Sequence, residues 1–249
     1  MKGFFRLFLL LLLAGASLQF YFVGRIALMA VVDPESTAFE RSAIYSVATT
    51  TGSLKWRQQW VAYSDISDNL KRAVIASEDA SFTEHEGVDI EALEKAWDKN
   101  AKAEQRVQKS GNKNPSVNMP AKPAKPAKIV GGSTITQQLA KNLFLSGERT
   151  LLRKGQELVL TLLLEQLLSK QRILEIYLNS VEWGEGVFGA EAASQYYYRK
   201  SAAKLSAFEA ARLAVMLPRP KYFETRPNSG YLSSRASTIA ARMGGVELP

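Results

Sequence analysis

Leu151-Leu-Arg-Lys-Gly-Gln-Glu-Leu-Val-Leu-Thr-Leu-Leu-Leu-Glu-Gln-Leu-Leu-Ser-Lys-Gln-Arg-Ile-Leu-Glu-Ile-Tyr-Leu-Asn179 is the run on which the fold turns. Leu158, Val159, Leu160, Leu162, Leu163, Leu164, Leu167 and Leu168 supply more apolar surface than one helix face can show. The run is therefore expected to form one buried central helix from about Leu151 to Asn179. Working outward, Ser206 can cap a helix through Phe208, Leu213 and Met216 that Pro218 closes. On the other side, Thr134 and Gln137 have capping-box spacing just after Gly131-Gly132. Earlier still, Ser67 or Asp68 can cap a segment running from Asn69 towards Ser81. No succession of alternating strands interrupts this pattern, so the fold class is mainly α.

At 249 residues the chain has room for one catalytic domain and an appendage. Cysteine is absent, which excludes disulfides, thiolate metal sites and a cysteine nucleophile. The appendage is N-terminal: residues 1–6 carry Lys2 and Arg6, and residues 7–24 are apolar except for Ser17 and Gln19. That length suits a membrane-spanning anchor, with Lys2 and Arg6 on the cytoplasmic side and the rest of the chain outside the inner membrane. A cleaved signal peptide, with Ala14-Gly15-Ala16 as the processing site, would export the same domain.

The formal net charge is +8, yet residues 99–128 alone hold eight Lys or Arg against the single acid Glu104. Little positive charge is left for the remainder, so nucleic acid is not an expected partner. With its Lys-Pro-Ala run, 99–128 is expected to be a flexible basic insertion within a domain covering 40–249. A solvated loop is the plainer reading of it, and contact with anionic lipid or cell-wall polymer the functional one.

Leu70, Val74 and Glu78 fall at i, i+4 and i+8, so an apolar stripe ends in a carboxylate. Such an acid is either a surface helix end or a proton acceptor with a raised pKa. Glu157 shares a helical face with Leu164 and Leu168, one turn after Arg153. An i, i+4 ion pair is its plain explanation, although two inward acids also suit glycosyl chemistry. Between them, Gly131-Gly132-Ser133-Thr134 opens a helix whose free N–H groups and hydroxyls suit a phosphate. Gln137 and Lys141 project from one face of it, and Arg149, Arg153 and Lys154 follow. Together these cations point to a phosphorylated substrate. His85 is the only histidine and is expected to support the turn before Gly87 rather than to catalyse. Trp183, Tyr196, Tyr197 and Tyr198 are expected in the core or at a membrane interface rather than on sugar.

Four motifs carry a family resemblance. Glu78-Asp79-x-x-Phe82-x-x-His85-x-Gly87 is similar to the first motif of the peptidoglycan glycosyltransferases, the domain also found at the front of bifunctional penicillin-binding proteins. Gly132-Ser133-Thr134-Ile135-Thr136-Gln137-Gln138 resembles their second motif, with Asn142 one turn beyond. Arg153-Lys154-x-x-Glu157 resembles the third, and Ile173-Leu174-Glu175-x-Tyr177-Leu178-Asn179 the fourth. The resemblance covers roughly residues 40–230 and is strongest to the monofunctional members.

It implies a lysozyme-like, mostly helical domain with its cleft against the membrane. It also implies an activity: polymerisation of lipid II into glycan strands with inversion, releasing polyprenyl diphosphate. Glu78 would be the base for the acceptor's 4-hydroxyl. Lys141 and Arg149 would hold the departing diphosphate, with Ser133 and Gln137 lining that site and Glu157 assisting. The implied partners are lipid II, the nascent strand, membrane lipids, and other cell-wall synthases or division proteins. The one cofactor implied is a divalent cation, Mg or Mn, at the diphosphate. Ser201-Ala-Ala-Lys204, Ser116-Val-Asn118 and Lys109-Ser-Gly111 match short transpeptidase motifs, but their order is wrong and no second domain fits. The rivals are a lysozyme-like hydrolase or lytic transglycosylase, which would leave Lys141 and Arg149 idle, and an inactive scaffold that binds precursor.

Overall fold

The computed structural model describes residues 2–52, 54, 56–111, 132–145, 147, 148 and 150–249, with side chains at all of these except 51 and 106–111. The first helix, α1 (Lys2–Leu28), is long and apolar enough to cross a membrane and contains the whole of the expected 7–24 span. Its last turns do not stand free of the body. Phe22, Ile26 and Met29 are buried in the main core, and the Phe22 ring meets Phe144 edge-on at 5.3 Å. Gln19 and Gln156 exchange side-chain amide hydrogen bonds of 3.1 and 3.3 Å. Arg172 closes the joint by donating to the carbonyl of Met29 at 2.7 Å and to Asp33 at 2.7 Å.

The body follows as α2 (Ala38–Thr51), β1 (Arg57–Gln58), α3 (Asp68–Glu78), α4 (Ile90–Gly111), α5 (Ile135–Phe144), α6 (Leu151–Leu167) and α7 (Lys170–Ser180). It is completed by β2 (Glu182–Gly184), β3 (Val187–Phe188), α8 (Ala190–Tyr198), α9 (Ala207–Met216), α10 (Pro220–Glu224) and α11 (Gly230–Arg242). The short sheet has the order β1-β3-β2, with β1 parallel and β2 antiparallel to β3. Helices dominate the described residues, in keeping with the sequence. Ser67 caps α3, Thr134 and Gln137 form a reciprocal capping box on α5, and Ser206 with Glu209 does the same on α9.

The core has two halves that bring different walls to one groove. In one, α3 packs on α9 and α11 through Leu70, Val74, Leu213 and Ile239. In the other, α5 packs on α6 and α7 through Leu139, Leu160, Leu164 and Ile176. Asn179, at the end of α7, ties in the loop before α3 by accepting from the Val61 N–H at 3.0 Å and donating to the Val61 carbonyl at 2.9 Å. Gly189 has a φ of 83°, and a Cβ there would lie 2.6 Å from the Asn179 carbonyl oxygen, so this close approach requires glycine.

Two expectations are corrected. The apolar run is not one helix: it breaks at Leu168, and Ser169 starts α7 by accepting a hydrogen bond from the Arg172 N–H. A serine side chain that caps a new helix outcompetes continuation of the old one. Nor is the run buried throughout, because Leu158, Val159 and Leu162 are exposed on the side of α6 away from Leu160 and Leu164, and Leu167 is exposed at the helix end. The second correction concerns the insertion. Residues 99–111 are not loop but the second half of α4, rich in Ala, Lys, Glu, Gln and Arg, which are strong helix formers. The remainder of that segment, 112–128, lies outside the described residues.

Candidate active site

Glu78 ends α3, and its half-buried carboxylate is held by neutral groups. Gln138 Nε2 donates to Glu78 Oε2 at 3.1 Å, and Ser77 Oγ lies 3.5 Å from Oε1. The amide is itself fixed, because the fully buried Tyr177 hydroxyl donates to Gln138 Oε1 at 3.0 Å. A chain of hydrogen bonds thus runs from the core to the carboxylate. Burial raises the Glu78 pKa above the ordinary carboxylate value and Asp79 adds to this, while Gln138, Ser77 and Arg235 oppose it. An acid so placed is a stronger base than a surface glutamate once it is ionised.

Asp79 does different work. Its Oδ2 accepts from the Ile135 N–H at 2.9 Å, and its Oδ1 meets His85 Nε2 at 2.9 Å. His85 Nδ1 accepts from the Gly87 N–H at 3.1 Å, and the Gly87 carbonyl accepts from Thr134 Oγ1 at 2.6 Å. The first motif is thereby tied to the start of α5, with His85 supporting the turn as expected. Phe82 is fully buried beneath the Lys170 ammonium, 4.6 Å from its ring centroid. Gly87 has a φ of 84°, and a Cβ there would lie 2.7 Å from Thr161 Cγ2.

Two chambers meet at this point, and Ser133 lines both. The first, of about 380 Å³, holds Gln137, Gln138, Lys141, Asn142, Arg153 and Glu157 on its walls. Phe39, Glu148 and Lys154 also border it. Glu157 is buried, accepting from Arg153 at 2.8 Å and from Lys154. The ion pair read from the sequence is present and forms part of the wall. Burial of the ammonium lowers the Lys141 pKa, with Glu157 opposing the effect and Arg153 and Lys154 adding to it. The second chamber, of about 510 Å³, contains Glu78 and lies between α4 and α11.

Ser133, Gln137, Lys141, Asn142, Arg153, Lys154 and Glu157 are therefore gathered in one place, and Gln138 links them to Glu78. Thr134, Asp79, Phe82 and His85 build the frame behind them. Arg149 lies outside the described residues. Sequence reasoning missed Tyr177 as the anchor of Gln138, although it stands in the fourth motif, and it missed Arg235 and Arg242, whose i, i+7 spacing on α11 was the available signal.

For a metal, Asp79, His85 and Asp89 place ligand atoms within 4.8 Å of one another. Their atoms are already engaged, since Asp89 accepts from the Ala92 N–H at 2.7 Å and from Ser81, while Asp79 and His85 bond as described above. In the first chamber both Glu157 oxygens are taken by cations. Neither set fits a divalent ion held by the protein alone.

An acid in a helical cleft beside a cation-lined chamber suits an enzyme of glycosyl chemistry acting on a phosphorylated sugar. Residues 46–111 and 121–244 match the family described as Transglycosylase. The chain is 53% identical over 238 residues to a biosynthetic peptidoglycan transglycosylase of Burkholderia thailandensis, covering 95% of this chain and 84% of that one. It is 49% identical over 237 residues to that of Paraburkholderia phytofirmans, covering 95% and 90%. The chain belongs to the transglycosylase family of peptidoglycan synthesis, whose domain has the lysozyme-like helical fold expected from the sequence.

Proposed function

We propose that this protein polymerises lipid II into the glycan strands of the cell wall, with Glu78 as the general base. The 4-hydroxyl of the acceptor gives its proton to the Glu78 carboxylate as its oxygen bonds to the anomeric carbon of the donor. The bond from that carbon to the diphosphate oxygen breaks, and polyprenyl diphosphate leaves with the electron pair. Attack opposite the leaving group inverts the anomeric centre. Lys141 and Arg153 stabilise the charge that develops on the diphosphate in the first chamber, with Ser133 and Gln137 beside it. Arg149 is assigned to the same task on its motif alone. Glu157 holds Arg153 and Lys154 in place.

The observation that carries this reading is the single neutral-partnered acid at the junction of two chambers, one of them lined by Lys141, Arg153 and Lys154. A hydrolase acting on finished glycan has no diphosphate for these cations to meet.

The reading also places the domain at a membrane. Leu151, Leu152, Leu158, Val159 and Leu162 expose an apolar face on α6, the helix against which α1 is docked. That face and the anchor would share the lipid, so the first chamber opens where a polyprenyl chain ends. With Lys2 and Arg6 retained in the cytoplasm, the protein is a single-pass protein of the inner membrane with its catalytic domain in the periplasm.

The test incubates detergent-solubilised protein and its Glu78→Gln variant with fluorescent lipid II and resolves the products on a gel. A ladder digestible by muramidase is expected from the wild type and not from the variant. Shortening of preformed glycan without a ladder would establish the hydrolase, and binding without turnover the scaffold.

A further inference from the structure

Where α1 leaves its apolar span, the connection to α2 frames a cavity of about 350 Å³ that the polymerase mechanism does not use. Arg25, Leu28, Met29 and Val32 line it from the end of α1 and the turn beyond, at spacings of three and four residues that share one face. Asp33, Glu35, Ser36 and Arg41 close it from the connection and from α2. Arg25 donates to the Tyr21 hydroxyl at 3.1 Å, and Arg41 donates to the Ser36 carbonyl and hydroxyl at 3.1 and 2.9 Å. Asp33 is paired with Arg172 at 2.7 Å, and the buried Glu40 beside Arg41 accepts from the Thr37 N–H and the Gln58 amide. Among the described residues no carboxylate bonds Arg25 or Arg41, and no cation pairs with Glu35. Two unpaired guanidinium groups and one unpaired carboxylate around one cavity fit a ligand that is itself a phosphate joined to an ammonium.

The cavity stands at the height of lipid headgroups. Residues 7–24 rise about 27 Å, close to the ~30 Å thickness of the hydrocarbon core, so Arg25 comes at its outer boundary. Gln19, bonded to Gln156 on α6, lies about 9 Å before Arg25 along α1. Leu158 and Val159 are exposed on α6 close to Gln156, and an apolar helix face of this kind sinks roughly 5–10 Å into the boundary between headgroups and acyl chains. Leu28 and Val32 are exposed at the cavity, where glycerol and the first acyl carbons would lie. On the reading that α1 anchors the protein in a membrane, we propose that this cavity binds the headgroup of one phosphatidylethanolamine molecule. Arg25 and Arg41 hold its phosphate, and Glu35 accepts from its ammonium. Choline presents no N–H to Glu35, and a glycerol headgroup brings no positive charge, so the three side chains together select a primary ammonium. Arg172 ties the same connection to α7 through the Met29 and Val32 carbonyls and Asp33, so a lipid held there fixes the height of the catalytic domain over the bilayer.

The test incorporates the full-length protein into nanodiscs holding equal parts of phosphatidylethanolamine, phosphatidylcholine and phosphatidylglycerol, and native mass spectrometry identifies the lipid that stays bound as the disc is stripped. Wild type should retain one phosphatidylethanolamine, favoured roughly threefold or more over phosphatidylcholine, the scale of one exposed ion pair. Glu35→Gln should abolish that preference while one phospholipid is still held, and Glu35→Lys should make phosphatidylglycerol the favoured lipid. Arg25→Gln/Arg41→Gln should lower retention of any phospholipid roughly tenfold or more, as expected for losing charge-assisted bonds, whereas Arg25→Lys/Arg41→Lys should keep it. Equal retention of the three lipids by wild type would mean an adventitious lipid only and would overturn the assignment. A wild-type preference for phosphatidylglycerol, or a phosphatidylethanolamine preference that Glu35→Gln leaves unchanged, would overturn it too. Protein that does not enter the discs would overturn the membrane reading and the site with it. Glu35 and Arg41 are exposed and Arg25 is half-buried, so the variants should keep the wild-type melting temperature.

Discussion

Glu78 and Glu157 are two inward acids on opposite walls of one groove, and their partners assign them opposite work. Glu78 is touched by an amide and a hydroxyl, which orient a carboxylate without neutralising it. Glu157 is gripped by a guanidinium and an ammonium, which fix its charge and are fixed by it. Burial without a bonded cation suits a proton acceptor, whereas burial with two bonded cations suits a strut. The lesson is that an acid on an apolar face says little until its hydrogen-bond donors are known.

The sharpest way to break the contrast is to remove each charge in turn. Glu78→Gln should lower the initial polymerisation rate by about 10³-fold or more, since general base catalysis supplies roughly 10²–10⁴-fold and the amide cannot accept the proton. The same variant should be more stable than wild type at pH 7. Folding raises this acid's pKa, so ionising it above the unfolded value costs stability, and the gain in melting temperature should shrink as the pH falls towards 4. A variant less stable at pH 7 would show that Glu78 is not under strain from burial.

Lys141→Gln should lower kcat/KM by about 10²-fold, the scale of one lost contact to developing charge. Its depressed pKa gives the sign of the pH effect, because the ammonium proposed to hold the diphosphate is lost as pH rises through that lowered value. The alkaline limb of the wild-type rate profile should therefore lie below the usual lysine range, and Lys141→Arg should move it upward.

Glu157→Gln should act on stability and activity together. It leaves Arg153 and Lys154 without their acid, and with Lys154 half exposed the expected loss in unfolding free energy is about 1–2 kcal/mol, read by denaturant titration. Polymerisation should fall about tenfold through the displaced cations. Tyr177→Phe is the smallest change: it removes one hydrogen bond to Gln138, worth about 1 kcal/mol, and should lower kcat roughly fivefold with KM unchanged.

Much of this was legible before any coordinates. Leu70, Val74 and Glu78 placed an acid at the end of a core stripe, Thr134 and Gln137 announced the helix that starts the first chamber, and Arg153 with Glu157 announced an ion pair. Local spacing suffices for such features because each lies within one or two helical turns. The break at Ser169 was hidden because apolar composition outweighed a single capping hydroxyl. The outward leucines of α6 looked like core because an exposed leucine and a core-facing one are identical in sequence. Lys, Gln, Glu and Ala in 99–111 suit both a solvated loop and a helix, and composition alone favoured the loop. Tyr177, Gln138 and Glu78 come from three separate helices, and Arg235 lines the same chamber as Glu78 from a fourth. No sequence spacing reports such meetings.

The central claim is that Glu78 performs chemistry while the cations perform binding, and one paired measurement separates them. Equilibrium binding of fluorescent lipid II and single-turnover transfer to a blocked donor strand would be read on the same preparation of Glu78→Gln. The account predicts binding within about twofold of wild type and transfer reduced by about 10³-fold. Transfer near the wild-type rate, or binding lost together with transfer, would contradict it.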